Sequence, residues 1–195
     1  MTAPLTLPTT SVPDPAKAPG LRWGVIAPGG IARNFIGTMH AATASRLTAV
    51  CSRSLERAQA FAEDFESDAG PAHAYASVDE FLTHEGLEVV YVASPHAQHF
   101  ALATKVVEAG IPVVIEKPMT LNVAEARELF ETARRTGAYV QEAMWSCFMP
   151  HYDVIRQVIE SDVIGEVTAV IADHCQYFPF DPEHRLYAPE LGGGA

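Results

Sequence analysis

The stretch Trp23-Gly24-Val25-Ile26-Ala27-Pro28-Gly29-Gly30-Ile31-Ala32 decides how the rest of the chain is read. Its first half is a short apolar run. Its second half fits G-x-G-x-x-G/A with Ala27 in place of the first glycine. A strand that breaks into small residues and starts a helix points backbone N–H groups and the positive helix end at an anion. Glycine there lets the backbone come close to a pyrophosphate. An ordinary strand–helix turn fits the bare pattern as well. Context favours dinucleotide binding: a strand lies before it, a helix after it, and a second strand ends about twenty residues further on.

Working outward, apolar runs rich in Val and Ile recur at 47–51, 89–92 and 112–115. Such runs read as strands buried on both faces of a parallel sheet. Between them lie helical patterns. In 54–65, Ala58, Phe61, Ala62 and Phe65 form one apolar stripe. Residues 97–108 and 122–136 are similar, with Asn122 and Glu125 in capping-box spacing and Gly110 and Gly137 just past helix ends. Strand and helix alternate over 21–143, which predicts an α/β fold, a doubly wound parallel sheet. From 144 the rhythm changes. A helix over 152–159 and a strand over 166–172 lead into the aromatic stretch 177–182 and the glycines of 191–195. These read as the beginning of a second domain, cut short.

Composition narrows the partners. Of 195 residues, 24 are acidic and 13 basic, a formal net charge of −11, which argues against nucleic acid and anionic membranes. No apolar run approaches the roughly 18 residues that span a bilayer. The cysteines Cys51, Cys147 and Cys175 have no C-x-x-C spacing, so neither a disulfide framework nor a cysteine zinc site is expected, and the cytoplasm is the simplest compartment. Residues 1–20 hold five prolines and four threonines without an apolar signal core, and are expected to be a disordered leader with no part in the fold.

Three segments at strand ends carry candidate chemistry. The second strand ends in Cys51-Ser52-Arg53-Ser54-Leu55-Glu56-Arg57. A carboxylate at such a tip accepts from the ribose of NAD, whereas a hydroxyl and an arginine suit the 2′-phosphate of NADP. Arg57, one helical turn on, can add a second cation; solvated arginines paired with a nearby Glu are the plain alternative. The segment Ser94-Pro95-His96-Ala97-Gln98-His99 places two histidines at a helix start, where packing or capping is the better reading and no metal is expected. In Ile115-Glu116-Lys117-Pro118 a lysine ends an apolar strand, a place where burial tunes it toward acid/base work. From the residues alone, an ion pair with Glu116 is the plainer reading. The proline fixes the turn and suits a cis bond.

The glycine turn, the Ser-Arg tip, S-P-H-x-x-H, E-K-P, E-A-M-W (142–145) and F-D-P-E-H-R-L (180–186) occur in one order and spacing. Together they resemble the Gfo/Idh/MocA family, nearest its dihydrodiol-dehydrogenase-like branch. The resemblance implies a Rossmann domain over 21–143 and, over 144–195, the start of an α+β substrate and dimerisation domain. It implies an NADP-dependent oxidoreductase, NAD being the lesser alternative, that moves hydride to or from a hydroxyl or carbonyl carbon of a sugar, polyol or diol. Lys117 would be catalytic. Ala27, Gly29, Gly30 and Ile31 would hold the cofactor's pyrophosphate, and Ser52, Arg53 and Arg57 its ribose phosphate. Ser94, Pro95, His96 and His99 would line the nicotinamide side with Glu116, and Trp145 would wall the substrate pocket. A homo-oligomer is implied, as is a further helix carrying aspartate and histidine or tyrosine, without which this chain is expected to bind cofactor but not turn over. Two departures are Ala27 for glycine and Cys147 where the branch often has arginine. A non-catalytic NAD(P)-binding regulatory module is the alternative function.

Overall fold

The computed structural model describes residues 6–66, 70–184 and 186–189. Two compact units separate, one formed by Pro15–Ala143 with Pro182–Ala195, the other by Met1–Asp14 with Met144–Asp181.

In the larger unit six strands form one sheet in the order β3-β2-β1-β4-β5-β6, every neighbouring pair parallel. They are β1 (Arg22–Ile26), β2 (Arg46–Cys51), β3 (His73–Tyr75), β4 (Val89–Val92), β5 (Val113–Ile115) and β6 (Val140–Glu142). The helices that follow are α1 (Gly30–Ala42), α2 (Leu55–Asp64), the single turn α3 (Val78–Phe81), α4 (His99–Glu108) and α5 (Val123–Thr136). All four residues of β4 are buried, as an unbroken apolar run requires when helices cover both faces. One core gathers Val90, Val92, Val106, Ile115 and Leu129; the other gathers Val25, Ile36, Val50, Phe61 and Tyr91.

Helix boundaries follow local chemistry. Ser54 caps α2 by accepting from the Arg57 amide, and Asn122 caps α5 by accepting from the Glu125 amide. Glu125 reaches back to the Leu121 amide, one residue before the position a capping box expects. Gly137 ends α5 at φ 77°, the left-handed position where a Cβ is unwelcome. The helix expected over 97–108 starts later, because His96–Gln98 form a 3₁₀ turn before α4.

The smaller unit contains α6 (Pro150–Glu160), preceded by a 3₁₀ turn at Trp145–Phe148. Two expectations change here. The leader does take part in structure: the Thr10 hydroxyl and the Ser11 amide donate to the buried carboxylate of Asp153 at 2.9 and 2.6 Å. Those bonds, the Ser11 amide foremost and then Arg156, hold the Asp153 carboxyl well below the usual carboxylate range. The strand expected over 166–172 is not formed. A strand needs a neighbour for its N–H and C=O groups, and no described segment of this unit supplies one, so Val170 and Ile171 stand 82% and 91% exposed. The glycines of 191–195 and Arg185 lie outside the described residues.

Gly24, in the middle of β1, is held by packing. A Cβ there would sit 2.5 Å from the Phe81 ring and 2.7 Å from Leu87 Cδ1. Gly24→Val should therefore destabilise the fold by about 1–3 kcal/mol, read as a lower urea midpoint at unchanged slope. An unchanged midpoint would mean that β1 and α3 do not pack as described.

Candidate functional site

In the strand order, β1 has β2 on one side and β4 on the other, and the chain reverses its direction of travel across the sheet there. In open α/β sheets that reversal leaves a crevice beyond the carboxyl ends of the strands. A cleft of about 850 Å³ lies at this place, lined among others by Ile26 at the end of β1 and Ala27 after it, Ser52 and Arg53 after β2, and Ala93 and Pro95 after β4.

The floor is the turn between β1 and α1. The Ala27 amide donates to the Cys51 carbonyl, and the Gly29 amide donates back to the Ala27 carbonyl, both at 2.9 Å. Closing so tight a loop puts Ala27 in the left-handed region, φ 66°, where glycine is the usual residue. No side chain caps α1, so its first N–H groups remain available to an anion. A Cβ on Gly29 or Gly30 would meet nothing within 4 Å, so the face toward the cleft is open. Ile31 is exposed on the same first turn and does not line the cleft.

The lip beyond β2 is cationic. Ser52 is fixed by its amide to the Tyr75 carbonyl, and its hydroxyl accepts from the Ser54 amide. Arg53 and Arg57 make no ion pair among the described residues, and no acidic residue lines the cleft. The pairing of Arg57 with a nearby glutamate is thus not what forms. Burial pushes the Cys51 thiol up to about 11, so this wall stays neutral. A third arginine, Arg33 of α1, also lines the cleft. It pairs with Asp64 at 2.6 Å and lies over the rings of Phe61 and Phe65. Sequence reasoning missed it because its partners come from another helix; its place three residues after Gly30, on the first turn, was the available signal.

The segment after β4 divides. Pro95 lines the cleft with Gln98, while Ser94 is buried. His99 is wholly buried and does not face the cleft. Its ring nitrogens meet the carbonyls of Ser94 and Pro118, each at 2.8 Å, so it ties the β4 end to the β5 end. His96 is half-buried on the 3₁₀ turn with its ring 5.6 Å from that of His99.

At the end of β5, Glu116 is half-buried and Lys117 exposed, and the Lys117–Pro118 peptide is cis. Lys117 forms no ion pair among the described residues, Glu116 being engaged elsewhere. Trp145 belongs to the smaller unit and is largely exposed. Among the described residues no cluster of His, Cys, Asp and Glu could hold a metal ion, and no helix is long and apolar enough to cross a membrane.

The chain is similar in sequence and fold to known proteins. Residues 21–144 match a family described as an oxidoreductase family with an NAD-binding Rossmann fold, GFO_IDH_MocA. The chain is 36% identical over 179 residues to the mouse (Mus musculus) trans-1,2-dihydrobenzene-1,2-diol dehydrogenase, covering 89% of this chain and 51% of that protein. It is 34% identical over 192 residues to the D-xylose 1-dehydrogenase (NADP(+)) of Hypocrea jecorina, covering 90% and 49%. Among solved structures, the 3-ketoreductase KijD10 of Actinomadura kijaniata in complex with NADP superposes with a TM-score of 0.65 at 29% identity, covering 76% of this chain and 46% of that one. The chain spans about half the length of the curated relatives it matches.

The strain at Ala27 gives a direct test. A left-handed alanine costs about 1–2 kcal/mol, and glycine returns part of that as unfolded-chain entropy. Ala27→Gly should raise stability by about 0.5–1 kcal/mol in urea unfolding. A fall in midpoint would show that the turn is not left-handed.

Proposed function

The chain belongs to the Gfo/Idh/MocA oxidoreductase family, and from that membership we propose that it is an NADP-dependent oxidoreductase acting on a hydroxyl or carbonyl carbon of a sugar, polyol or diol. The observation that carries the reading is the lip of the cleft: a serine and two arginines that form no ion pair among the described residues, with no carboxylate among the lining residues. A carboxylate there would repel a 2′-phosphate, whereas guanidinium groups bond it with charge assistance. The NADP named for the xylose dehydrogenase and held by the ketoreductase supports the same choice.

The residues fit a dinucleotide. The open glycine face and uncapped start of α1 would take the pyrophosphate, and Ser52, Arg53 and Arg57 the ribose phosphate. When bound, nicotinamide supplies a site that gives or takes hydride. The protein's own contribution is position and proton. Pro95 and Gln98 bound the cleft beyond β4, and His99 fixes that segment to the turn after β5. Lys117, exposed at that turn, would donate to or take from the substrate oxygen the proton that balances hydride transfer at carbon.

Two measurements test this. Calorimetric titration should show tighter binding of NADPH than NADH, and Arg53→Asp should cost on the order of 1.5–3 kcal/mol for NADPH alone. Equal affinities in the wild type would remove the NADP assignment while leaving the fold. In a form of the protein that spans the full length of its relatives, Lys117→Met should cut turnover of aldoses, polyols or diols by about 10²–10⁴ with NADPH affinity unchanged. Unchanged turnover would make Lys117 a structural strand-end residue.

A further inference from the structure

The turn after β5 is held at three points, each by a side chain from a different element. The Tyr91 hydroxyl, from β4, donates to Glu116 Oε1 at 2.5 Å. The His99 ring, from α4, meets the Pro118 carbonyl, and Glu142 Oε1, from β6, accepts from the Met119 amide at 2.9 Å. The second oxygen of Glu116 accepts from the Lys117 amide at 3.2 Å. The Glu116 carboxylate thus has a partner on each oxygen, and neither is the ammonium beside it in the chain. Tyr91 is itself fixed: it is 1% exposed, and its ring stacks on Phe35 with centroids 4.3 Å apart.

We propose that Tyr91 is a positioning residue for Lys117: by capturing Glu116 it keeps the neighbouring carboxylate off the ammonium and leaves the lysine presented at the sheet edge. This role rests on the reading of Lys117 given above. A free Glu116 next to an exposed lysine would form the adjacent ion pair that the residues alone suggest. The buried phenol prevents it by offering a short, partly buried bond. Burial first, and then the glutamate itself, keep the phenol protonated far above its ordinary range, so the donor persists at any working pH.

The chain has three lysines, Lys17, Lys105 and Lys117, which makes the test direct. Acylation by an amine-selective succinimidyl ester at fixed pH, mapped by peptide mass spectrometry without cofactor, reads how free each ammonium is, with Lys17 and Lys105 as references. Tyr91→Phe keeps the ring and removes the hydroxyl. It should slow labelling of Lys117 about two- to five-fold, the worth of one exposed ion pair, with both references unchanged. Adding Glu116→Gln should restore the wild-type rate, which lost packing alone could not do. Glu116→Asp, whose shorter carboxylate falls away from Tyr91 and leaves the core untouched, should slow Lys117 by a similar factor. An unchanged rate in Tyr91→Phe, or slowing that persists in the double variant, overturns the proposal. Failure of the acid/base role itself is read separately, from the turnover of Lys117→Met.

Discussion

Everything in the larger unit depends on the reversal of strand order at β1. Once β2 and β4 flank the same strand, the connecting helices are committed to opposite faces. At such a switch point a crevice is left beyond the carboxyl end of β1. The tightest turn, the uncapped start of α1 and the cationic tip of β2 all open into that gap. The hydrophobic effect builds the gap indirectly, by burying both faces of β4 and forcing the polar ends of the strands to one edge.

Electrostatics acts locally within this frame. The chain as a whole carries a formal net charge of −11, yet three arginines and no acid line the cleft. A cofactor phosphate approaching the molecule meets repulsion at long range and attraction only near the lip. With a screening length of about 8 Å at physiological salt, the local cations dominate at contact. Arg33 differs from its neighbours because Asp64 and two aromatic rings already occupy it.

How much was legible in the residues follows from how far each signal travels. The runs that became β1, β2, β4 and β5 announce themselves, because a strand buried on both faces must be apolar throughout. β3 and β6, no shorter than β5, lack its apolar run: β3 is His-Ala-Tyr, and β6 takes polar Gln141 and Glu142 at the sheet edge. The glycine turn and the serine–arginine tip are contiguous, so both could be read and both line the cleft. Packing was the better reading of His99 from the residues and is what forms, but its partners, Ser94 and Pro118, could not be named because they come from two strand ends. Tyr91 looks like any core residue in an apolar run; only the neighbouring strand shows what its hydroxyl does. The reading of 166–172 as a strand went wrong for the converse reason: β propensity is local, but a ladder needs a partner.

The division of labour at the tip of β2 bears on how such a protein can change. Ser54 caps a helix, and Ser52 anchors the loop through its amide and its acceptor oxygen. Arg53 and Arg57 form no ion pair among the described residues, and neither belongs to the buried core. Under the proposed function, ligand preference is written in side chains on which the fold makes no claim, while the residues that secure the scaffold stand next to them. Substitutions at 53 and 57, exposed and outside the described ion pairs, can accumulate with almost no toll on folding. The same freedom does not extend to Tyr91 or His99, where a side chain is at once core and brace. Drift in cofactor choice should run far ahead of drift in the turn after β5.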